Sequence, residues 1–475
     1  MLKTSAIYFV IRVLNGVLGL SAVFFLTRIL TAEQYGVYAL GVAVIGSSAS
    51  ILFQWITVAV SRFYSTYINS TAELIYEGEK LLLRVATIPF IIASAIMTCA
   101  PMLNVNPTLI GAIGIGIIAS GIHSLSLQVA NASGQSLRYG LLTISRNAIA
   151  LFFAIVLIHF NYAEIGAIFG IVLGSIFSIV LFRGPQTFKT AAKNLKIRHQ
   201  LIRYGLPLSV TYVSTMMLDV SDRFIISWWL GLPAVAGYAA AYDLAQQTIG
   251  ALLNILMLVA YPQVTAAWET NGAIAARRAM IPLTQAMILG IPLLAGIFIG
   301  GAEEMANVVF GESIRDEAAR IIPWIAIAIT TSCFKSYVLD IAFQLTKATN
   351  TVLKITVFMA VINVILNIVL LPYFGVVGAA VATVIAFSIG AVLSWWNGRK
   401  LNIYSARLID GIKMAIVLFI VAISMRFIPE LSLNNISKAI FTLAIGFISY
   451  VIAIYLTDLG DIRSLFSRKI RFFLK

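Results

Sequence analysis

Apolar residues in this chain come in unbroken blocks, not in the alternating rhythm of a half-buried strand or the one-sided stripe of a surface helix. A block of about twenty mostly apolar residues is long enough to cross a bilayer as a helix, and the pattern predicts about fourteen of them. They fall at 5–26, 36–60, 81–101, 108–130, 141–159, 163–182, 204–229, 236–261, 281–300, 321–346, 351–371, 375–396, 408–428 and 438–457. The first block carries Arg12 and Asn15 and lacks a cleavage-site pattern, so it is expected to remain as a span.

The blocks repeat. Gly36 opens the second block and Gly237 the eighth; Pro89 in the third has its counterpart in Pro292 of the ninth. Gly166, Gly170, Gly174 and Ser178 form a stripe of small residues at every fourth position, and Gly378, Ala382, Ala386 and Gly390 repeat it at a constant offset. Small residues at that spacing let membrane helices approach closely, so packing explains each stripe. Their shared offset argues an internal duplication. The expected fold is an all-α integral membrane protein of about 14 transmembrane helices: two six-helix bundles related by duplication, plus two C-terminal helices. The expected division is 1–182, a basic cytoplasmic connector 183–203, 204–397, two added helices in 398–457, and a basic tail 458–475. Six spans per copy leave both copies pointing the same way, with a substrate path expected between them. Prolines 89, 207, 282, 292 and 323 lie inside or near the ends of spans, where bent cavity-lining helices and plain kinks both use them.

Composition sharpens this picture. The chain is 60% hydrophobic and 11% charged, less than half the charged fraction usual in soluble domains. Its net charge of +14 is not a nucleic-acid footprint, because the cations are distributed by side. With the N-terminus in the cytoplasm, the connector alone places Arg183, Lys189, Lys193, Lys196, Arg198 and Arg203 inside, while the outer stretch 301–320 is net acidic. That asymmetry predicts a multi-pass membrane protein with both termini in the cytoplasm. Cys99 and Cys333 lie in blocks and imply no disulfide framework.

Several stretches carry a family likeness. DVSDRFIISWW followed by LGLPAVAGYAAAYDLAQ, and the long run from Phe343 (FQLTKATNTVLKITVFMAVINVILNIVLLPYFGVVGAAVATVIAFSIGAVL), resemble the polysaccharide (O-antigen type) flippases. These belong to the multidrug/oligosaccharidyl-lipid/polysaccharide flippase superfamily. TRILTAEQYGVYAL and VAVSRFYSTY are similar to that family's first outer loop and the end of its second span. The resemblance implies two bundles forming a V, alternating access, and a lipid-linked sugar cargo such as an undecaprenyl-diphosphate oligosaccharide for surface polysaccharide, O-antigen, lipopolysaccharide or exopolysaccharide. Membrane lipids, and in the cell a polysaccharide polymerase and glycosyltransferases, are the expected partners.

Charges inside the blocks are the candidate site. A charge at mid-bilayer costs about 2.5–3.5 kcal/mol on insertion scales, so it usually faces a polar interior. Arg12 sits about a turn and a half into the first span with no acid within a turn, and Arg146 near the start of the fifth. Arginine's planar fork, always charged, suits a diphosphate. Arg146 also fits a snorkelling role, which leaves Arg12 the leading headgroup candidate. Asp219 and Arg223 are spaced for a salt bridge on one helical face, which competes with a substrate contact for Arg223. Asp219, Asp222, Asp243 and Asp340 are candidate cavity or coupling-ion carboxylates. Lys335 and Asp340 are five apart, an unfavourable α-helical spacing, so each is expected to find a partner on another helix; Lys335 is a further headgroup candidate. His123 and His159 read as non-ligands.

No metal-ligand spacing, glycine-rich phosphate loop or nucleophile elbow is present, so neither enzyme chemistry nor a cofactor is expected. The competing reading is a cation-coupled exporter of multidrug type. The intramembrane charges, Arg12, Arg146, Arg223 and Lys335 against Asp219, Asp222, Asp243 and Asp340, balance and do not separate the two.

Overall fold

The computed structural model describes residues 2–103, 106–184, 192–405, 407–426 and 434–462. Residues 185–191 of the connector and 463–475 of the basic tail lie outside them. The protein is all-α, with no strand among the described residues. Nine helical stretches among those residues are long and apolar enough to cross a membrane. Three of these, Ser136–Leu181, Leu232–Gly300 and Thr349–Leu401, each contain two of the expected spans in succession.

Two compact units divide at Ala236 and Gly237. The first holds α1 (Leu2–Ile29), α2 (Ala32–Ala49), α3 (Trp55–Phe63), α4 (Thr71–Val85), α5 (Thr87–Leu103), α6 (Pro107–Ala132), α7 (Ser136–Leu157), α8 (Ala163–Leu181), α9 (Leu195–Gly205) and α10 (Ser209–Leu230). Local chemistry sets the boundaries. Thr31 and Gln34 form a reciprocal cap at the start of α2, satisfying two otherwise orphaned N–H groups. Pro89 has no N–H and its ring clashes with the carbonyl four residues back, which accounts for the break between α4 and α5. Asn106 caps α6, with Pro107 at its first position.

α11 (Leu232–Ala245) runs across the division, and the second unit continues with α12 (Ala251–Gly300), α13 (Ala302–Val309), α14 (Glu312–Phe334), α15 (Ile341–Leu345), α16 (Thr349–Gly398), α17 (Leu408–Arg426) and α18 (Asn435–Thr457). α12 breaks at Asn271 and Gly272, and α16 at Gly375. The two C-terminal helices dock on α12. Gly296 and Gly300 let α17 come close, since a Cβ at either would press on Val421 or on Met425 and the Ala422 backbone.

The small-residue stripes do the same job in each unit. Gly170 and Gly174 of α8 lie against the backbone of α7 at Ala150 and Arg146. In α16, Gly378 lies against Leu370 and Leu371 on the far side of the Gly375 break, and Gly390 against Met359. Each stripe closes a helix back on the one that precedes it. That is what a duplicated helical hairpin requires.

Candidate functional site

In the first unit, polar groups stitch α1, α6 and α7 together among apolar neighbours. The tight seat of Gly174 on the Arg146 carbonyl clamps α7 against α8 and so fixes where Arg146 stands. Its Nη2 donates to Ser120 Oγ of α6 at 3.1 Å, and Arg146 is half-buried. Asn147 Nδ2 donates to Asn15 Oδ1 of α1 at 2.5 Å. His123, 2% exposed on α6, donates from Nε2 to the Leu142 carbonyl at 3.2 Å. Tyr8 donates to Asn131 Oδ1 at 2.9 Å. Arg146 is the charged member of this group, and among the described residues a hydroxyl, not a carboxylate, is what meets it.

Arg12 lies elsewhere on α1. Ile11 turns inward over Gly140, and Arg12 is exposed, with no hydrogen bond or ion pair to a described residue.

On α10, Asp222 and Arg223 are buried and Asp219 is exposed. The salt bridge that this spacing allows, one of the two readings of the pair, is not closed between Asp219 and Arg223. A spacing of four residues fixes their angular position on the helix but not their depth, and one turn along α10 carries the chain from an exposed to a buried setting. Asp243 of α11, in the second unit, is half-buried.

Lys335 and Asp340 correct a second expectation. They pair with each other: Lys335 Nζ lies 2.6 Å from Asp340 Oδ2, both residues 4% exposed. The reason is a π-helical turn, Lys335–Leu339, between α14 and α15. Asp340 N donates to the Lys335 carbonyl at 2.8 Å, closing the i to i+5 ring that brings residues five apart onto one face. Asp340 does have a partner on another helix as well, accepting from Ser394 Oγ of α16 at 2.7 Å. Tyr404 covers the group by donating to the Leu339 and Ser394 carbonyls; burial, then the Asp340 carboxylate, pushes its phenol above the ordinary range. A headgroup contact by Lys335 therefore requires this buried bridge to open.

A further buried carboxylate stands outside the candidates drawn from the sequence. Glu77 of α4 is fully buried, accepting from Arg198 Nε and from Asn194 N, each at 2.9 Å. Asn194 Nδ2 also donates to Glu73 Oε2 at 2.8 Å, and Asn194 Oδ1 caps α9. So 195–203, expected as part of a basic loop, is a helix docked on α3 and α4. The available signal was the pair Glu73 and Glu77 on one helical face, opposite an Asn-led basic segment.

Among the described residues, no group of three or more His, Cys, Asp or Glu could hold a metal ion. Around Arg146 the first unit offers a cation and hydrogen-bond donors in apolar surroundings, which is chemistry for binding an anion.

Comparison with known proteins gives this arrangement its context. The structure superposes on a lipid II flippase, MurJ, in an inward closed conformation with a TM-score of 0.71, at 14% identity over 99% of this chain and 100% of that one. An inward-facing multidrug resistance transporter of the MATE family gives 0.63 at 14% identity, over 85% of this chain and 100% of the other. At such identities the likeness is one of fold. In sequence, the chain is 24% identical over 237 residues to the probable flippase AglR of Haloferax volcanii, covering 49% of this chain and 47% of that protein. It is 25% identical over 210 residues to the probable low-salt glycan biosynthesis flippase Agl15 of the same organism, covering 43% and 42%. The chain thus spans less than half the length of these relatives. A family model described as polysaccharide biosynthesis protein matches residues 1–268, more than half of the sequence. This multi-pass membrane protein belongs to the polysaccharide biosynthesis protein family.

Proposed function

We infer that the protein is a flippase moving a polyprenyl-diphosphate-linked oligosaccharide from the cytoplasmic to the outer leaflet for surface polysaccharide synthesis. The observation that carries the reading is Arg146, a permanent cation in the body of an apolar unit whose described contact is the Ser120 hydroxyl. A cation drawn into apolar surroundings without a carboxylate needs an anion or water to offset its lost hydration. A diphosphate supplies several acceptor oxygens that a guanidinium engages in a planar fork. Two sequence relatives named as flippases support the transport class. An exporter of cationic compounds would instead be expected to place a carboxylate near its cargo, and a hydroxyl is what meets Arg146 among the described residues.

In this reading Arg146 and Arg12 receive the headgroup as it leaves bulk water. Arg223 and Lys335 act later, and the carboxylates Asp219, Asp222, Asp243 and Asp340 serve as counter-charges or coupling-ion ligands. The two halves alternate in access, and the basic connector and both termini lie in the cytoplasm, following the cation asymmetry along the chain. The polyprenyl tail stays in lipid throughout.

Deletion followed by analysis of lipid-linked sugars tests the function. The expected result is accumulation of polyprenyl-linked repeat units on the cytoplasmic side with loss of surface polysaccharide. Unchanged glycolipid with altered sensitivity to cationic drugs overturns it in favour of an exporter.

A further inference from the structure

The hairpin of α7 and α8 carries a second cationic feature, at the end remote from the turn that joins them. An open cleft of about 580 Å³ lies there, between the start of α7 and the end of α8. Arg138 and Arg183 are the charged residues of its lining, and no carboxylate is among them. Because Ser136–Leu181 is one long apolar stretch, its two ends meet where that apolar character stops. This is the level at which lipid headgroups sit.

The cleft is built, not incidental. Arg138 Nε donates to the Phe182 carbonyl at 3.0 Å, and its Nη1 reaches Gln135 Oε1 at 3.4 Å, so the guanidinium is held across the mouth of the hairpin. Gly184 is buried directly against that guanidinium, and any side chain there would push it away. Arg183 stands exposed beside it. Below the cations the wall is apolar and open: Leu137 is 66% exposed, Leu141 39% and Leu181 61%. Two guanidinium groups over a leucine-lined slope match an amphipathic anion, with the phosphate above and the acyl chain below.

We propose that this cleft is a binding site for the headgroup of an anionic glycerophospholipid, distinct from the cargo site around Arg146. The ligand class is a phosphatidylglycerol-type lipid, whose net negative charge distinguishes it from a zwitterionic lipid of the same chain length. The site does not depend on the flippase reading, since it takes a bilayer lipid and not a transported cargo.

Native mass spectrometry of the full chain, released from detergent with phosphatidylglycerol or phosphatidylcholine, reads the site directly. The expected result is preferential retention of one phosphatidylglycerol. Arg183→Gln, at an exposed position, lowers that retention about fivefold, and Arg138→Gln with Arg183→Gln lowers it by the square of that factor. Leu137→Glu, also exposed, lowers it by placing a negative charge beside the phosphate. Equal retention of both lipids by the wild type overturns the proposal. So does unchanged phosphatidylglycerol retention in Arg183→Gln and Leu137→Glu, two variants that keep the fold if the double one does not. Loss of the bound lipid on adding inorganic phosphate at millimolar levels also overturns it, by showing a site for a free anion.

Discussion

Ala163 and Gly375 adopt the same left-handed backbone conformation 212 positions apart, at φ 41 and ψ −128 for Ala163 and φ 57 and ψ −147 for Gly375. Each is the corner before a small-residue stripe, and the offset between them equals that from Gly166 to Gly378. Glycine adopts this corner without strain, whereas alanine holds it at a cost of about 1–3 kcal/mol. Ala163→Gly should therefore raise stability by about 1 kcal/mol. Gly375→Ala should lower it, through conformation alone, because no atom lies within 4 Å of the added Cβ. Thermal unfolding of the purified variants in one detergent checks both signs. A destabilised Ala163→Gly would refute the strain assigned to that corner.

The buried Lys335–Asp340 bridge leads to a different expectation. Removing one partner strands a charge in a dry interior, which typically costs about 3–5 kcal/mol. Lys335→Ala should thus lower the melting temperature sharply. Lys335→Ala with Asp340→Asn should recover much of the loss, since the amide still accepts from Ser394. Monodispersity and melting temperature of the two variants decide it; a double variant as unstable as the single one would mean the pair does not act as a unit.

Glu77 and Arg198 make a third case. Glu77 holds the start of α9 through two contacts of 2.9 Å, one from Arg198 and one from Asn194. Glu77→Ala should release α9 from α3 and α4, so that the helix can unfold and be cut by trypsin after Lys196 and Arg198. Glu77→Gln, which keeps an acceptor, should release it less. Limited proteolysis of membranes carrying each variant compares the cleavage rates. Equal rates in wild type and Glu77→Ala would show that other contacts dock α9.

These cases show what the sequence could and could not convey. The stripes from Gly166 and Gly378 were legible because close approach of membrane helices demands small side chains at fixed spacing, whatever the tertiary detail. Spans were legible for the same reason: the bilayer imposes length and apolarity. The pairing of Lys335 with Asp340 was not, because a spacing of five separates two side chains on an α-helix, and the π-turn that reunites them leaves no compositional mark. The docking of α9 was hidden because a run of cations reads as a solvated loop until its partner, Glu77, is found about 120 residues away on α4. Asp219 and Arg223 differ in the opposite sense: their spacing suits a bridge and their burial does not.

Arg146 offers the sharpest test of the transport reading. The residue is half-buried, clamped from behind by the close contact of Gly174 with its own carbonyl, and its guanidinium is met by the Ser120 hydroxyl at 3.1 Å. Were it there for packing alone, a neutral side chain of similar length would serve, because no described carboxylate would be left stranded. Arg146→Gln should then be harmless to fold and function alike. If it engages a diphosphate, Arg146→Gln should fold normally and lose export by about two orders of magnitude, the cost of about 3 kcal/mol for a lost charge-assisted contact. Arg146→Lys keeps the charge without the fork and should fall between the two. Arg12→Gln, on an exposed position of α1, should show a smaller loss if Arg12 meets the headgroup only on entry. Surface polysaccharide measured against membrane abundance separates the outcomes. Normal export by Arg146→Gln at normal protein levels would remove the cation from the mechanism, and with it the main physical reason for a diphosphate cargo.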